Sequence, residues 1–331
     1  MMGWRRLCLC LSAAVAAAAL AAGVGVGVAG AQLSPGFYNA TCPALQSVVR
    51  RGMARAVRRE PRMGASILRL FFHDCFVNGC DASVLLDDVP ATNFTGEKNA
   101  GPNANSLRGF DVIDAIKAQV EAACNATVSC ADILALAARD AVNLLGGPSW
   151  TVPLGRRDAR NASAGAANAN LPPPDATLPT LLSMFGAKGL DARDLTALSG
   201  AHTVGRARCA VFRAHIYNDT TANASFAAGL RAAVCPAAGG DANLAPLEPQ
   251  APDAFDNAYF RDLLARRVLL RSDQALYGGS GNGTTDALVR AYAANATAFA
   301  ADFAAAMVRM GSLATSGAGG GEVRINCRRV N

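Results

Sequence analysis

The chain has 331 residues, 51% hydrophobic and 17% charged, which is ample apolar material for a large core and too little charge for a disordered chain. Its formal charge of +6 comes with no Lys/Arg run longer than two, which argues against nucleic-acid binding. Aromatics at 6% argue against a sugar-stacking surface, and ten cysteines argue for an oxidising compartment over the cytosol.

Arg5 and Arg6, the apolar run Leu7 to Ala22 and the small residues ending at Ala29-Gly30-Ala31 follow the grammar of a secretory signal cleaved after Ala31. The run is short and ends in glycine, which disfavours an uncleaved membrane anchor. Cleavage leaves residues 32–331; losing Arg5 and Arg6 lowers the charge from +6 to +4, and losing Cys8 and Cys10 leaves eight of the ten cysteines. Gly25-x-Gly27-x-x-Gly30 spells a dinucleotide fingerprint, but no strand precedes it and it lies in the segment to be removed. Eight cysteines in a secreted chain imply four disulfides of open connectivity, and only Cys75 and Cys80, around Asn78-Gly79, pair locally. Sequons at Asn39, Asn93, Asn125, Asn161, Asn218, Asn223, Asn282 and Asn295 fit a secreted glycoprotein.

Beyond that segment the apolar spacing is helical almost throughout, and strand-like alternation is scarce. Thr41 is placed to cap a helix running from near Pro43 through Val48, Val49 and Val57. A second helix is predicted from Met63 to Phe76. Ser106 is expected to open a third through Phe110, Ile113, Ile116 and Val120. Ser129 is expected to open a fourth through Ile133, Leu136 and Val142, stopped by Gly146-Gly147-Pro148. Further helices are predicted over 178–186, 191–199, 205–217, 256–268, 285–295 and 297–310, with loops at 77–105, 147–176, 236–254 and 277–284. Asn168 to Asp175, with three consecutive prolines, reads as a rigid extended connector. No repeat unit or interdomain linker interrupts the pattern.

The chain has three histidines. Arg69 and His73 lie four apart on the second helix and share a face, with Phe72 beside them as a pocket wall. A cation beside a neutral imidazole suits proton transfer and stabilisation of developing negative charge. Taken alone, such a pair is more often a surface arginine near a hydrogen-bonded histidine. His202 sits among Ser199, Gly200, Ala201, Thr203 and Gly205, small neighbours that let a flat group approach. His215, beside Arg213, reads as structural. GxSxG and HExxH are absent, which removes two secreted-hydrolase readings.

Leu68-Arg69-Leu70-Phe71-Phe72-His73-Asp74-Cys75-Phe76-Val77-Asn78-Gly79-Cys80-Asp81-Ala82-Ser83 resembles the distal signature of the class III plant secretory peroxidases. Leu198-Ser199-Gly200-Ala201-His202-Thr203-Val204-Gly205 resembles their proximal haem-ligand motif. Val128 to Asp132, Gly146 to Trp150, Pro153 to Asp158, Asn170-Leu171-Pro172, Phe255-Asp256-Asn257, Ser272-Asp273-Gln274 and Met310-Gly311 follow in family order, so the likeness covers the whole of 32–331.

The resemblance implies an all-α, two-lobed haem peroxidase fold with one haem b between the lobes. It implies reduction of hydrogen peroxide through a high-valent iron intermediate and one-electron oxidation of small phenolic-type donors. His202 would ligate the iron and Asp273 would accept from its other nitrogen. His73 would move the peroxide proton, Arg69 would stabilise charge on the breaking bond, Asn103 would hold the His73 tautomer, and the Pro172 carbonyl would meet aromatic donors. The implied disulfides are Cys42–Cys124, Cys75–Cys80, Cys130–Cys327 and Cys209–Cys235. Asp74, Val77, Gly79, Asp81 and Ser83 match a distal calcium site, supported by Glu97 through water. A proximal calcium would fall to Thr203, Glu248, Ala251, Ala254 and Asp256. Glu248 stands where Asp is usual and Ala251 where a hydroxyl is usual, so this second ion is expected to be held but weakened.

A wall glycoprotein that kept the fold and lost the chemistry is the alternative, and intact Arg69, His73, Asn103, His202 and Asp273 argue against it. The chain stops four residues after Cys327, so an extracellular, cell-wall location is expected over a vacuolar one. The remaining expectations are a monomer, no membrane or nucleic-acid partner after signal removal, and adhesion of the basic chain to acidic wall polysaccharide.

Overall fold

In the computed structural model, residues 33–279, 283–313 and 320–331 are described. The expected signal segment and the Asn282 sequon lie outside them. The amphipathic stripe of α1 (Leu45–Arg59) buries Leu45, Val48, Val49, Met53 and Val57. Thr41 does not cap it, contrary to expectation; Ala44 is the N-cap and makes no side-chain bond. The disulfide from Cys42 to Cys124 fixes this end instead. α2 (Arg62–Asn78) outruns its predicted bounds at both ends and is buried almost continuously from Ile67 to Val77. α3 (Phe110–Ala123) starts after Gly109, not at Ser106. Gly109 has φ +92, and a Cβ there would lie 2.6 Å from Ile67 Cδ1, so only glycine fits this cap. α4 (Cys130–Leu144) begins as expected, with Ser129 Oγ accepting the Asp132 N–H at 3.2 Å. α1, α2 and α3 all pack on α4, whose residues 130–138 are buried throughout.

α5 (Ala164–Asn170) falls in a stretch read as loop, because its Ala/Asn composition carries no apolar period; it packs on α2. α6 (Leu178–Gly186) and α7 (Ala192–Ser199) match expectation, and α7 runs into a 3-10 turn at Gly200–Thr203. β1 (Arg206–Arg208) displaces the first turn of the helix expected over 205–217 and pairs antiparallel with β2 (Leu244–Pro246). Between them lie α8 (Cys209–Asn218) and the unpredicted α9 (Ala224–Ala233). These two share a small core of Phe212, Ile216 and Ala227, and the Cys209–Cys235 disulfide spans it. α10 (Ala258–Ala265), the single-turn α11 (Arg271–Gln274), α12 (Thr284–Ala294) and α13 (Ala296–Gly311) complete the chain. α7, α10, α12 and α13 form the second helical group, and α13 also touches α2. The fold is the all-α, two-lobed architecture the resemblance implies, with the same four disulfides.

At the start of α4, Asp158 accepts the N–H groups of Cys130 at 3.0 Å and Ala131 at 2.9 Å. It also accepts the Arg324 N–H at 2.8 Å, and its carboxylate lies 3.8 Å from Arg324 Nε, with both side chains fully buried. Removing one member of a buried ion pair strands the other charge. Asp158→Asn is therefore expected to lower stability by about 3–5 kcal/mol in urea unfolding with disulfides intact. Arg193→Ala, which breaks a pair with Asp302 that is 55% exposed on the arginine side, should barely move the midpoint.

Candidate active site

α2 presents Arg69 and His73 one turn apart. Arg69 Nε–H donates to His73 Nε2 at 3.1 Å. On the other side His73 Nδ1 is 2.6 Å from Asn103 Oδ1. The Asn103 amide is pinned because its Nδ2 donates to the Glu97 carbonyl at 2.9 Å. Its oxygen therefore faces His73, the proton sits on Nδ1, and Nε2 carries the lone pair. Arg69 is braced by the Pro102 carbonyl at 3.0 Å and by the carbonyl and hydroxyl of Ser106, each at 3.1 Å. Ser106 thus orients an arginine instead of capping a helix. That role has no sequence signal, since it depends on a loop 37 residues away folding onto α2. Phe72 stands edge-on to His73 and stacks toward Phe185 of α6.

His202 lies in the 3-10 turn after α7. Its Nδ1 is 2.8 Å from Asp273 Oδ1. The turn is pressed onto the second helical group: a Cβ on Gly200 would lie 2.4 Å from Phe299 and 2.8 Å from Phe260. The His202 side chain keeps 38% of its surface, yet burial is the largest influence on its protonation. Arg69 shows the same combination, exposed by area and strongly desolvated. The Arg69 charge also acts to lower the His202 pKa. A partly exposed imidazole whose Nδ1 is held by a carboxylate fits the ligand of a haem iron. Pro172 is half-buried in the proline connector, and the neighbouring Pro174 carbonyl accepts the Ser272 N–H at 2.9 Å, which ties the connector beside Asp273.

The family described as Peroxidase matches residues 49–295. The chain belongs to the peroxidase family. It is 56% identical over 302 residues to Peroxidase P7 of Brassica rapa subsp. rapa, covering 91% of this chain and all of that one. It is 57% identical to Peroxidase 70 of Zea mays and 55% identical to Peroxidase 4 of Vitis vinifera, each over 92% of this chain and 93% of the relative. The protein is a plant class III haem peroxidase, an enzyme that uses hydrogen peroxide to oxidise reducing donors. The catalytically silent alternative is not favoured.

The two loops that the resemblance assigns to calcium differ in how their oxygens are satisfied. Beside the Cys75–Cys80 disulfide, Asp74 Oδ2 accepts the Ala82 N–H at 2.9 Å and Asp81 Oδ1 the Ser83 N–H at 3.0 Å. Asp74 Oδ1, Ser83 Oγ and Glu97 Oε2 are buried without any hydrogen-bond partner. Burial raises the pKa of Asp74, Asp81 and Glu97, repulsion from Asp81 adds to it at Asp74 and Glu97, and Glu97 reaches about 7. Orphaned oxygens among crowded carboxylates fit a hard cation. Val77 and Gly79 are buried in the same turn, although the Val77 carbonyl already accepts from Lys188 Nζ at 3.1 Å. Among the described residues no group of three or more Asp, Glu, His or Cys side chains is placed to hold a metal ion.

On the proximal side the oxygens are already engaged. Thr203 Oγ1 donates to Asp256 Oδ1 at 2.9 Å, and that oxygen also accepts the Ala258 N–H at 2.7 Å. Glu248 folds back on its own loop, accepting the N–H groups of Gln250 at 2.7 Å and Ala251 at 2.6 Å. Ala251 has no hydroxyl to offer, and its carbonyl accepts the Ala254 N–H at 2.9 Å.

The two imidazoles are pushed in opposite directions. Burial first, and then the Arg69 charge, pull the His73 pKa down to about 3 against the Asn103 hydrogen bond. Burial also acts to lower His202, but the charge and hydrogen bond of Asp273 outweigh it and the pKa rises. Burial, with the nearby charges of Arg208 and Arg62, lowers Arg69 to about 10, so it remains a cation at neutral pH.

Proposed function

We propose that Arg69, His73 and Asn103 carry out the peroxide step and that His202, backed by Asp273, holds the haem iron. The observation that supports this most is a neutral His73 tethered at both nitrogens, at 2.6 Å and 3.1 Å, together with a His202 whose Nδ1 lies 2.8 Å from Asp273. When bound, haem would supply the two electrons that peroxide takes up, and two donor molecules would return them one at a time. His73 Nε2 takes the proton from one peroxide oxygen and delivers it to the other, which leaves as water. Asn103 keeps Nδ1 protonated, so that Nε2 is the working atom throughout. Arg69 donates hydrogen bonds to charge gathering on the departing oxygen, in a site where burial strengthens the interaction. Asp273 draws on the Nδ1 proton of His202 and makes its other nitrogen a stronger donor. Donors are small aromatic reductants meeting the Pro172 carbonyl.

Asp74, Val77, Gly79, Asp81 and Ser83, with Glu97 through water, would hold a distal calcium. Thr203, Glu248, Ala251, Ala254 and Asp256 would hold a proximal one more weakly, because the ion must displace hydrogen bonds that already satisfy Glu248 and Asp256. We further propose removal of residues 1–31 as a signal, and a monomer working in the apoplast and adhering to acidic wall polysaccharide. Four disulfides support an oxidising compartment, and among the described residues no helix is long and apolar enough to cross a membrane.

His73→Leu should retain its haem absorption band and slow the peroxide step in stopped flow by about 10²–10⁴-fold or more. A rate within a few-fold of the parent refutes the assignment. The base form of His73 is lost only as pH falls through its folded pKa of about 3, so the peroxide rate should be flat around neutrality and fall in strong acid. Arg69→Gln removes the repelling charge, raises the His73 pKa and should move that acid limb to higher pH. In a chelator time course with calcium counted per chain, one ion should leave well before the other. Ala251→Thr should delay that first loss.

A further inference from the structure

Asp273 serves two donors through a single oxygen. Its Oδ1 lies 2.8 Å from His202 Nδ1 and 3.0 Å from the hydroxyl of Tyr259. Tyr259 is buried in α10, edge-on to the His202 ring at 6.2 Å between centroids and backed by Phe260 at 5.1 Å. An ionised carboxylate only accepts, so the phenol is the donor in this contact. Two donors on one oxygen share its charge, and each bond is weaker than it would be alone.

We propose that Tyr259 is a positioning residue that tunes the iron ligand at second hand: its hydroxyl takes part of the Asp273 charge and makes His202 less anionic than Asp273 alone would. This rests on the reading of His202 as the iron ligand. The bland account is that a buried phenol simply needs a partner. The two accounts differ in sign. Without the competing hydroxyl, Asp273 pulls harder on His202, the imidazole becomes more anionic, and ferric iron is favoured. If Tyr259 only props Asp273 in place, its loss loosens Asp273 and the change runs the other way.

The test is a spectroelectrochemical titration of the holoenzyme. Tyr259→Phe should shift the ferric/ferrous midpoint to more negative potential, whereas Asp273→Asn alone should shift it to more positive potential. The Tyr259→Phe shift should vanish in the Asp273→Asn background, as a double-mutant cycle requires of a contact acting through that carboxylate. Should Tyr259→Phe fail to fold, replacing Tyr259 with 3-fluorotyrosine strengthens the donor and should raise the potential. An unchanged or more positive midpoint in Tyr259→Phe, with Asp273→Asn behaving as stated, overturns the Tyr259 role alone. If Asp273→Asn also leaves the midpoint unmoved, the reading of His202 falls with it.

Discussion

The structure depends on two buried carboxylates at the first turn of α4. Asp158 takes the free N–H groups of Cys130 and Ala131, and Asp132 takes the Tyr38 hydroxyl, the Gly155 and Arg156 N–H groups and the Arg156 guanidinium. Negative charge is favoured at a helix N-terminus, and here it is also fully hydrogen-bonded, which a buried charge requires. Through these contacts one helix end fastens the residue 38 region, the 155–158 segment and Arg324 near the C-terminus. Arg156 reaches further, to the Gly311 carbonyl at the end of α13. The Cys130–Cys327 disulfide closes the same junction covalently across 197 residues. α2 packs on α4, so the helix that carries Arg69 and His73 takes its position from this knot.

The site uses the resulting rigidity in two different ways. On α2 the spacing of one turn aligns Arg69 with His73, but the tautomer is decided by the Asn103–Glu97 contact, which comes from a loop. At His202 no regular helix does the positioning. A tight turn is wedged against Phe299 and Phe260, which is possible only because residue 200 has no side chain. One imidazole is kept neutral by burial and a neighbouring cation, and the other is polarised by a carboxylate.

The two loops proposed to hold calcium differ in how their oxygens are satisfied. On the distal side Asp74 Oδ1, Ser83 Oγ and Glu97 Oε2 have no hydrogen-bond partner within the protein. At Glu248 one extra methylene lets the carboxylate turn onto its own backbone N–H groups, and the loop meets much of its hydrogen-bonding need internally. The same loop lacks a hydroxyl at Ala251.

Most of the helices were legible in the sequence because apolar residues at a period near 3.6 leave few other ways to bury one face. The long motifs around His73 and His202, in family order, identified the chemistry and the disulfide pairs. What failed locally failed for stated reasons: Thr41 and Ser106 have the chemistry of caps, but hydrogen-bonding choices are made by whichever partner the fold brings near. α5 and α9 each bury a single alanine, Ala167 and Ala227, and both are capped by a side chain, Ser163 accepting the Ala166 N–H and Asn223 the Phe226 N–H. Tyr259 reads as one more core aromatic until α10 and α11 place its hydroxyl on Asp273. The sequence by itself determined the helical class through local periodicity, and through its likeness to the family it supplied the oxidised pairs and the candidate reacting residues. Only the tertiary structure decided which oxygens remain unsatisfied, which way Asn103 faces and how many donors share Asp273, because these depend on three-dimensional proximity between residues far apart in the chain.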